Sequence, residues 1–175
     1  IKPPLTDIEK KVYQNTGILE GFNTDGLRSI LSTMKHIPNM VEKTLRFPGH
    51  AELILKELES GKIVPSNKNN LKRLFKEWKL EPNELEFTVL DVIIETEIKT
   101  HNYFLFDETN LKENTSSMAR TTGYTASATI DLLDQNIFAE KGVFSPELVA
   151  SKSEVVDYIV NYLKQRGIIL KNNLE

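Results

Sequence analysis

Cysteine is missing altogether from the 175 residues, and that one absence removes disulfides, thiolate nucleophiles and cysteine-based zinc sites together. It also suits a reducing compartment, so a cytoplasmic setting is expected. Histidine is scarce: His36, His50 and His101 are the only three, and they show no HExxH or other metal-ligand spacing. Each reads as a surface or capping residue, and no metal is expected. There is no GxSxG elbow, no phosphate loop and no GxGxxG fingerprint. Long apolar runs are absent too, none approaching the roughly 20 residues of a membrane span, and the start of the chain does not read as a signal peptide. Charge of one sign does not dominate: 22 Lys and Arg stand against 25 Asp and Glu, for a net charge of −3. No global field draws nucleic acid or an anionic membrane, and neither is expected as a partner. What remains is an ordinary globular composition, 39% hydrophobic and 27% charged, long enough for one sizeable core. The opening Ile1-Lys2-Pro3-Pro4 leads us to expect a domain of a longer polypeptide.

Along the chain, Thr6-Asp7-Ile8-Glu9 has the form of a capping box and predicts a short helix stopped by Gly17. Ile18 to Phe22 predicts a strand, followed by the turn formers Asn23-Thr24-Asp25-Gly26 and a helix over Leu27 to Met34. Met40 to Phe47 predicts a second strand. Pro48 is placed at the first position of a helix whose stripe Ala51, Ile54, Leu55 and Leu58 runs to Gly61. Residues 63–83 read as a helical insertion, with Leu71, Leu74, Phe75 and Trp78 on one side. Phe87 to Ile98 carries apolar residues on both faces and predicts a strand buried mid-sheet. Asn102 to Phe106 is its expected hairpin partner, with the turn near Thr100-His101. Ser117 to Asn136 predicts a long helix with the small-residue stripe Ala119, Gly123, Ala126 and Ile130. Ser145-Pro146-Glu147 starts a turn. Ser151-Lys152-Ser153-Glu154 has the form of a second capping box, opening a helix with Val155, Val156, Ile159, Val160 and Leu163 inward and Gly167 at its close.

Three segments place polar residues where packing does not ask for them. In Glu20 to Gly26 the alternatives are a ligand-facing turn and a strand-to-helix turn with Asn or Asp as cap. Glu42 to His50 is either a polar site or a strand running into a Pro-started helix. Ser116 to Thr125 sets hydroxyls and Arg120 at a helix N-terminus, which suits an anion, but a Ser-capped helix explains it equally.

Taken in order, these segments resemble the C-terminal domain of the saccharopine dehydrogenase family. The resemblance runs through Leu19-Glu20-Gly21-Phe22, the Asn- and Asp-containing turn, and Lys43-Thr44-Leu45-Arg46-Phe47-Pro48-Gly49-His50. It continues with Ser117-Met118-Ala119-Arg120-Thr121-Thr122-Gly123, then Gly142-Val143-Phe144-Ser145-Pro146-Glu147 and Arg166-Gly167-Ile168. The Thr-Leu-Arg-aromatic-Pro-Gly-His block is the most specific. Eukaryotic members usually show Pro-Asn-Arg-Asp-Ser where this chain has Phe22-Asn23-Thr24-Asp25-Gly26, which is more similar to the prokaryotic branch.

The resemblance implies an α/β (α+β) fold with a mixed β-sheet flanked by helices and the small insertion at 63–83. It implies that 1–175 is one substrate-side domain, with 116–175 including a segment that returns to a nucleotide-binding Rossmann domain elsewhere in the polypeptide. The implied function is substrate binding and dimerisation in an NAD(P)-dependent oxidoreductase acting on the C–N bond of an amino acid such as saccharopine or lysine. NAD or NADP belongs to the full-length parent, with none expected on this fragment, which alone is expected to be inactive. Expected partners are the amino-acid substrate, the chain's own Rossmann domain and a second copy. Substrate contacts are expected from Arg46, Asn23, Asp25, Thr44, Arg120, Thr121 and Thr122, Arg46 first because its planar fork matches a carboxylate. The competing readings are a polyamine-pathway relative, similar to carboxynorspermidine dehydrogenase, and a non-catalytic dimerisation module.

Overall fold

Residues 2–81 and 84–172 are described by a computed structural model of the protein. They fall into two units, Ile1–Pro82 and Asn83–Glu175, each with its own three-stranded sheet. The expected combination of helices and sheet is present. Among the described residues the strands form two wholly antiparallel sheets, one per unit.

In the first unit, strand β1 (Glu9–Tyr13) pairs with β2 (Gly17–Asn23), which pairs in turn with β3 (Lys43–Arg46). The predicted opening helix is therefore corrected to a hairpin. Leu5 and Asp7 have φ of 59° and 52°, and the Thr6 hydroxyl donates to the carbonyl of Pro3, so the capping box never forms. Gly17, at φ 76°, supplies the left-handed residue that turns the chain from β1 into β2. The helix expected over Leu27 to Met34 shrinks to one turn, α1 (Ile30–Thr33). α2 (His50–Glu59) starts from Gly49 at φ 97°, which places Pro48 before the helix and not at its first position. Gly61 closes it as expected, at φ 72°. α3 (Lys68–Glu77) is capped by Asn67, whose side chain accepts from the amide of Asn69. The buried set of this unit includes Tyr13, Leu19, Phe22, Ala51 and Ile63.

In the second unit, β4 (Phe87–Glu95) pairs with β5 (Thr100–Glu108), and β5 pairs with β6 (Leu170–Asn172). β4 is thus the outer strand of its sheet, and Leu90, Ile93 and Ile94 are each about half exposed. That corrects the mid-sheet expectation. The hairpin turn also moves, to Thr96–Lys99, where the Thr96 amide donates to the Lys99 carbonyl at 3.0 Å. α4 (Ser117–Asp134) is as expected, capped by Ser116. α5 (Pro146–Val149) is a single turn, with proline in its first turn. α6 (Ser153–Lys164) begins from Lys152 without a side-chain cap, because the Ser151 hydroxyl donates instead to Leu148. Val156 faces solvent, contrary to expectation, while Val155 joins Leu132 and Phe138 in a core flanked by Phe144, Tyr158 and Ile159.

Candidate functional site

Alternation along a strand decides which residues share a side. In the β2–β3 ladder Glu20 lies opposite Arg46 and Phe22 opposite Thr44. These four stand on one face of the first unit's sheet. Phe22, Thr44 and Arg46, with Thr24, Asp25, Gly26, Arg28, Glu42, His50 and Trp78, line an open cleft of about 510 Å³.

Three features build this cleft. The first lies beneath it. Glu20 is buried, only 4% exposed, and its two carboxylate oxygens accept the amides of Gly49 at 2.8 Å and Ala51 at 2.7 Å. A negative side chain thus takes N–H groups that the first turn of α2 cannot bond internally. Burial opposes ionisation, yet the Ala51 and Gly49 amides and the neighbouring His50 outweigh it and hold the Glu20 carboxyl below the ordinary glutamate range. The second is an aromatic wall. The His50 ring lies parallel to Phe22, with centroids 6.1 Å apart and planes at 4°, and Trp78 leans on it at 5.6 Å. The third is the turn after β2. Glu42 accepts from the Thr24 hydroxyl and from the Gly26 amide at 3.1 Å. A Cβ on Gly26 would lie 2.4 Å from the Glu42 carboxyl carbon, so any larger residue there displaces the Glu42 side chain from the turn.

Against this frame Arg46 is unusual. It is exposed, its only side-chain hydrogen bond among the described residues goes to the neighbouring carbonyl of Leu45 at 2.7 Å, and it has no carboxylate partner among them. Its fork therefore remains available on the cleft side. Thr44 and Asp25 line the same cleft. Asn23 does not. It projects from the opposite face of the sheet, buried, with its amide donating to the Thr6 hydroxyl at 3.0 Å and to Asp7 at 3.1 Å.

Arg120, Thr121 and Thr122 belong to the second unit, where the structure gives each an internal role. Arg120 is 7% exposed and donates to both oxygens of Asp107 at 3.2–3.3 Å and to the Arg166 carbonyl at 3.1 Å. The bond to Asp107 raises the guanidinium above its already high range. Its face meets Tyr124, whose ring also meets Arg166, and Arg166 in turn stacks on Tyr162 at 3.4 Å. The hydroxyls of Thr121 and Thr122 donate back to the carbonyls of Ser117 and Met118. At the start of α4, the Ala119 amide is taken by Ser116 at 3.1 Å and the Met118 amide by the Glu86 carboxylate at 2.9 Å. The chain's own carboxylate thus occupies the position that the anion-site reading left for a ligand.

Sequence reasoning did not name Glu42, His50 and Trp78 among the expected contacts, nor Glu20 as the carboxylate beneath the cleft. The signal for Glu20 was a carboxylate in the middle of an apolar strand. For Glu42 it was the glycine three residues after Asn23. Trp78 had no local signal, since only the folding of α3 toward α2 brings it to His50.

The family model for the saccharopine dehydrogenase C-terminal domain matches residues 3–168. That span holds every cleft residue named above and the Arg120 cluster. It also covers nearly the whole chain, and the chain belongs to the saccharopine dehydrogenase C-terminal domain family.

Proposed function

We propose that this chain is the substrate-side part of an NAD(P)-dependent oxidoreductase acting on the C–N bond of an amino acid, in the lysine and saccharopine class. The observation that carries the reading is Arg46: a guanidinium without a carboxylate partner among the described residues, lining a cleft with Thr44, Asp25 and an aromatic wall. A zwitterionic amino acid asks for such a mixture. Arg46 donates two parallel N–H bonds to its carboxylate, Thr44 adds a hydroxyl, Asp25 and Glu42 offer negative charge to an ammonium, and Phe22, His50 and Trp78 cover the aliphatic chain. Arg28 is a second guanidinium on the cleft, suited to a second carboxylate.

The described residues contain no parallel strand–turn–helix–strand unit of the kind that cradles a dinucleotide pyrophosphate, since both sheets are antiparallel. These residues do not fit the cofactor. This chain's contribution is to bind and orient the amino acid and to exclude water from its apolar part. Self-association is part of the proposal, with β4, an outer strand exposing Leu90, Ile93 and Ile94, as the face that favours it. A cytoplasmic setting is supported by the lack of cysteine.

Arg46→Lys in the complete oxidoreductase tests the reading. Lysine keeps the charge and loses the fork, so KM for the amino acid rises about tenfold, in line with the strength of charge-assisted hydrogen bonds. Unchanged KM makes Arg46 a structural residue and removes the main support.

A further inference from the structure

Of the groups lining the cleft, His50 is the one whose ring nitrogens have no structural role among the described residues. It is the first residue of α2 and its backbone serves the helix, but neither ring nitrogen has a hydrogen-bond partner among the described residues, and neither is sealed from solvent. The Glu20 carboxylate is engaged elsewhere, both its oxygens accepting backbone amides. The ring is nevertheless held in place, parallel to Phe22 at 6.1 Å and with Trp78 tilted against it at 5.6 Å. A polar ring fixed by two aromatic neighbours, with its nitrogens open to a cleft, is a preorganised hydrogen-bonding group.

We infer that His50 is a specificity-determining residue of the cleft, accepting a hydrogen bond from the side-chain nitrogen of the bound amino acid while Arg46 holds its carboxylate. The inference rests on the amino-acid reading of the cleft. The charged groups around the ring agree with a neutral imidazole. Burial disfavours its protonated form, Arg46 from β3 acts in the same direction, and Glu20 from β2 opposes them, so the ring titrates below the ordinary histidine range. Asp25, Arg28 and Glu42 line the cleft farther along the turn and the approach to β3. A neutral imidazole carries a lone pair that a cationic one lacks. Discrimination of this kind arises when a site's polar group goes unmatched by a ligand lacking the complementary donor.

The test compares L-lysine with L-norleucine, which share the α-amino acid part and differ in the side-chain ammonium. Binding is measured calorimetrically to the wild-type chain and to His50→Phe, which keeps a ring between Phe22 and Trp78 and removes both nitrogens. At pH 7.5 lysine is expected to bind wild type about fivefold tighter than His50→Phe, one hydrogen bond's worth, while norleucine binds both alike. A second measurement needs no variant: the NMR titration of the His50 ring in wild type moves to lower pH when lysine is added, and norleucine leaves it in place. Equal lysine affinity for the two proteins, with an unmoved titration, overturns the role of His50 and leaves the amino-acid cleft standing. Failure of both amino acids to bind wild type overturns the cleft reading and this inference with it.

Discussion

Replacing Glu20 by glutamine probes the keystone of the cleft, because one carboxylate joins β2 to the start of α2. Its oxygens lie 2.8 and 2.7 Å from two backbone amides, and the residue is almost completely buried. Glutamine keeps one acceptor oxygen but aims an NH₂ group at the second amide, so a buried donor meets a donor. Hydrogen bonds to charged groups contribute about 1.5–3 kcal/mol each, and a buried donor left unmatched costs about 1–3 kcal/mol. The expected loss is therefore about 2–4 kcal/mol. Trp78 is the only tryptophan and lies in the first unit, so its fluorescence follows the unfolding of that unit. With a urea m-value of about 2 kcal/mol/M, the middle of the usual range for small proteins, the midpoint falls by about 1–2 M. The pH dependence has a definite sign. The folded Glu20 carboxyl titrates below its ordinary value of 4.5, so the folded state releases this proton more readily than the unfolded state. Its stabilisation is complete above that ordinary value and disappears as pH falls through the lower folded one. The gap between wild type and Glu20→Gln is accordingly constant near neutrality and narrows below pH about 4.5. Equal midpoints at pH 7, with equal m-values, would refute the keystone role.

Other outcomes follow from the same structure. Asp107→Asn removes the buried counter-charge of Arg120, leaving only the exposed Glu113 carboxylate at 3.7 Å, and is expected to cost about 3–5 kcal/mol, read by urea unfolding followed by far-UV circular dichroism. Gly26→Ala forces a methyl group against the Glu42 carboxylate and displaces that side chain; lysine affinity at the cleft drops while the β4–β5 hairpin keeps its amide shifts. Light scattering is expected to find the chain self-associated, and lysine substitution at Ile93 on the outer strand to return it to monomer. Calorimetry with NAD and NADP is expected to show no micromolar binding to this chain, as neither sheet offers a pyrophosphate cradle.

Much of this architecture was legible from local signals, and its exceptions have physical causes. The Ser116 cap, the length of α4 and the closing glycines at positions 61 and 167 all follow from residues within one or two turns of each other. Thr6 to Glu9 has equally good local credentials as a helix start, yet Glu9 to Tyr13 finds a ladder against Gly17 to Gly21 that a capping pattern does not foresee. Phe87 to Ile98 reads as buried because apolarity on both faces is the signature of a central strand, while the sheet ends at β4. Within the site, Arg46, Thr44 and Asp25 were identified by type, and the β2–β3 register brings them to one cleft. Asn23 was equally suggestive by type, but an odd step along the strand turns it to the other face. Arg120 was legible as a conspicuous cation at a helix start. Its partner Asp107 lies thirteen residues earlier on β5, a pairing that only the fold creates.

The central claim is that the cleft beside Arg46 binds an amino acid through its carboxylate, and titrating the isotopically labelled chain with saccharopine tests it most directly. The account predicts saturable NMR shifts confined to Thr24, Thr44, Arg46, His50 and Trp78, with the Arg46 side-chain Nε–H moving most and the whole set weakened in Arg46→Lys. Shifts centred instead on Arg120 and Gly167, or shifts at the cleft that Arg46→Lys leaves unaltered, would contradict it.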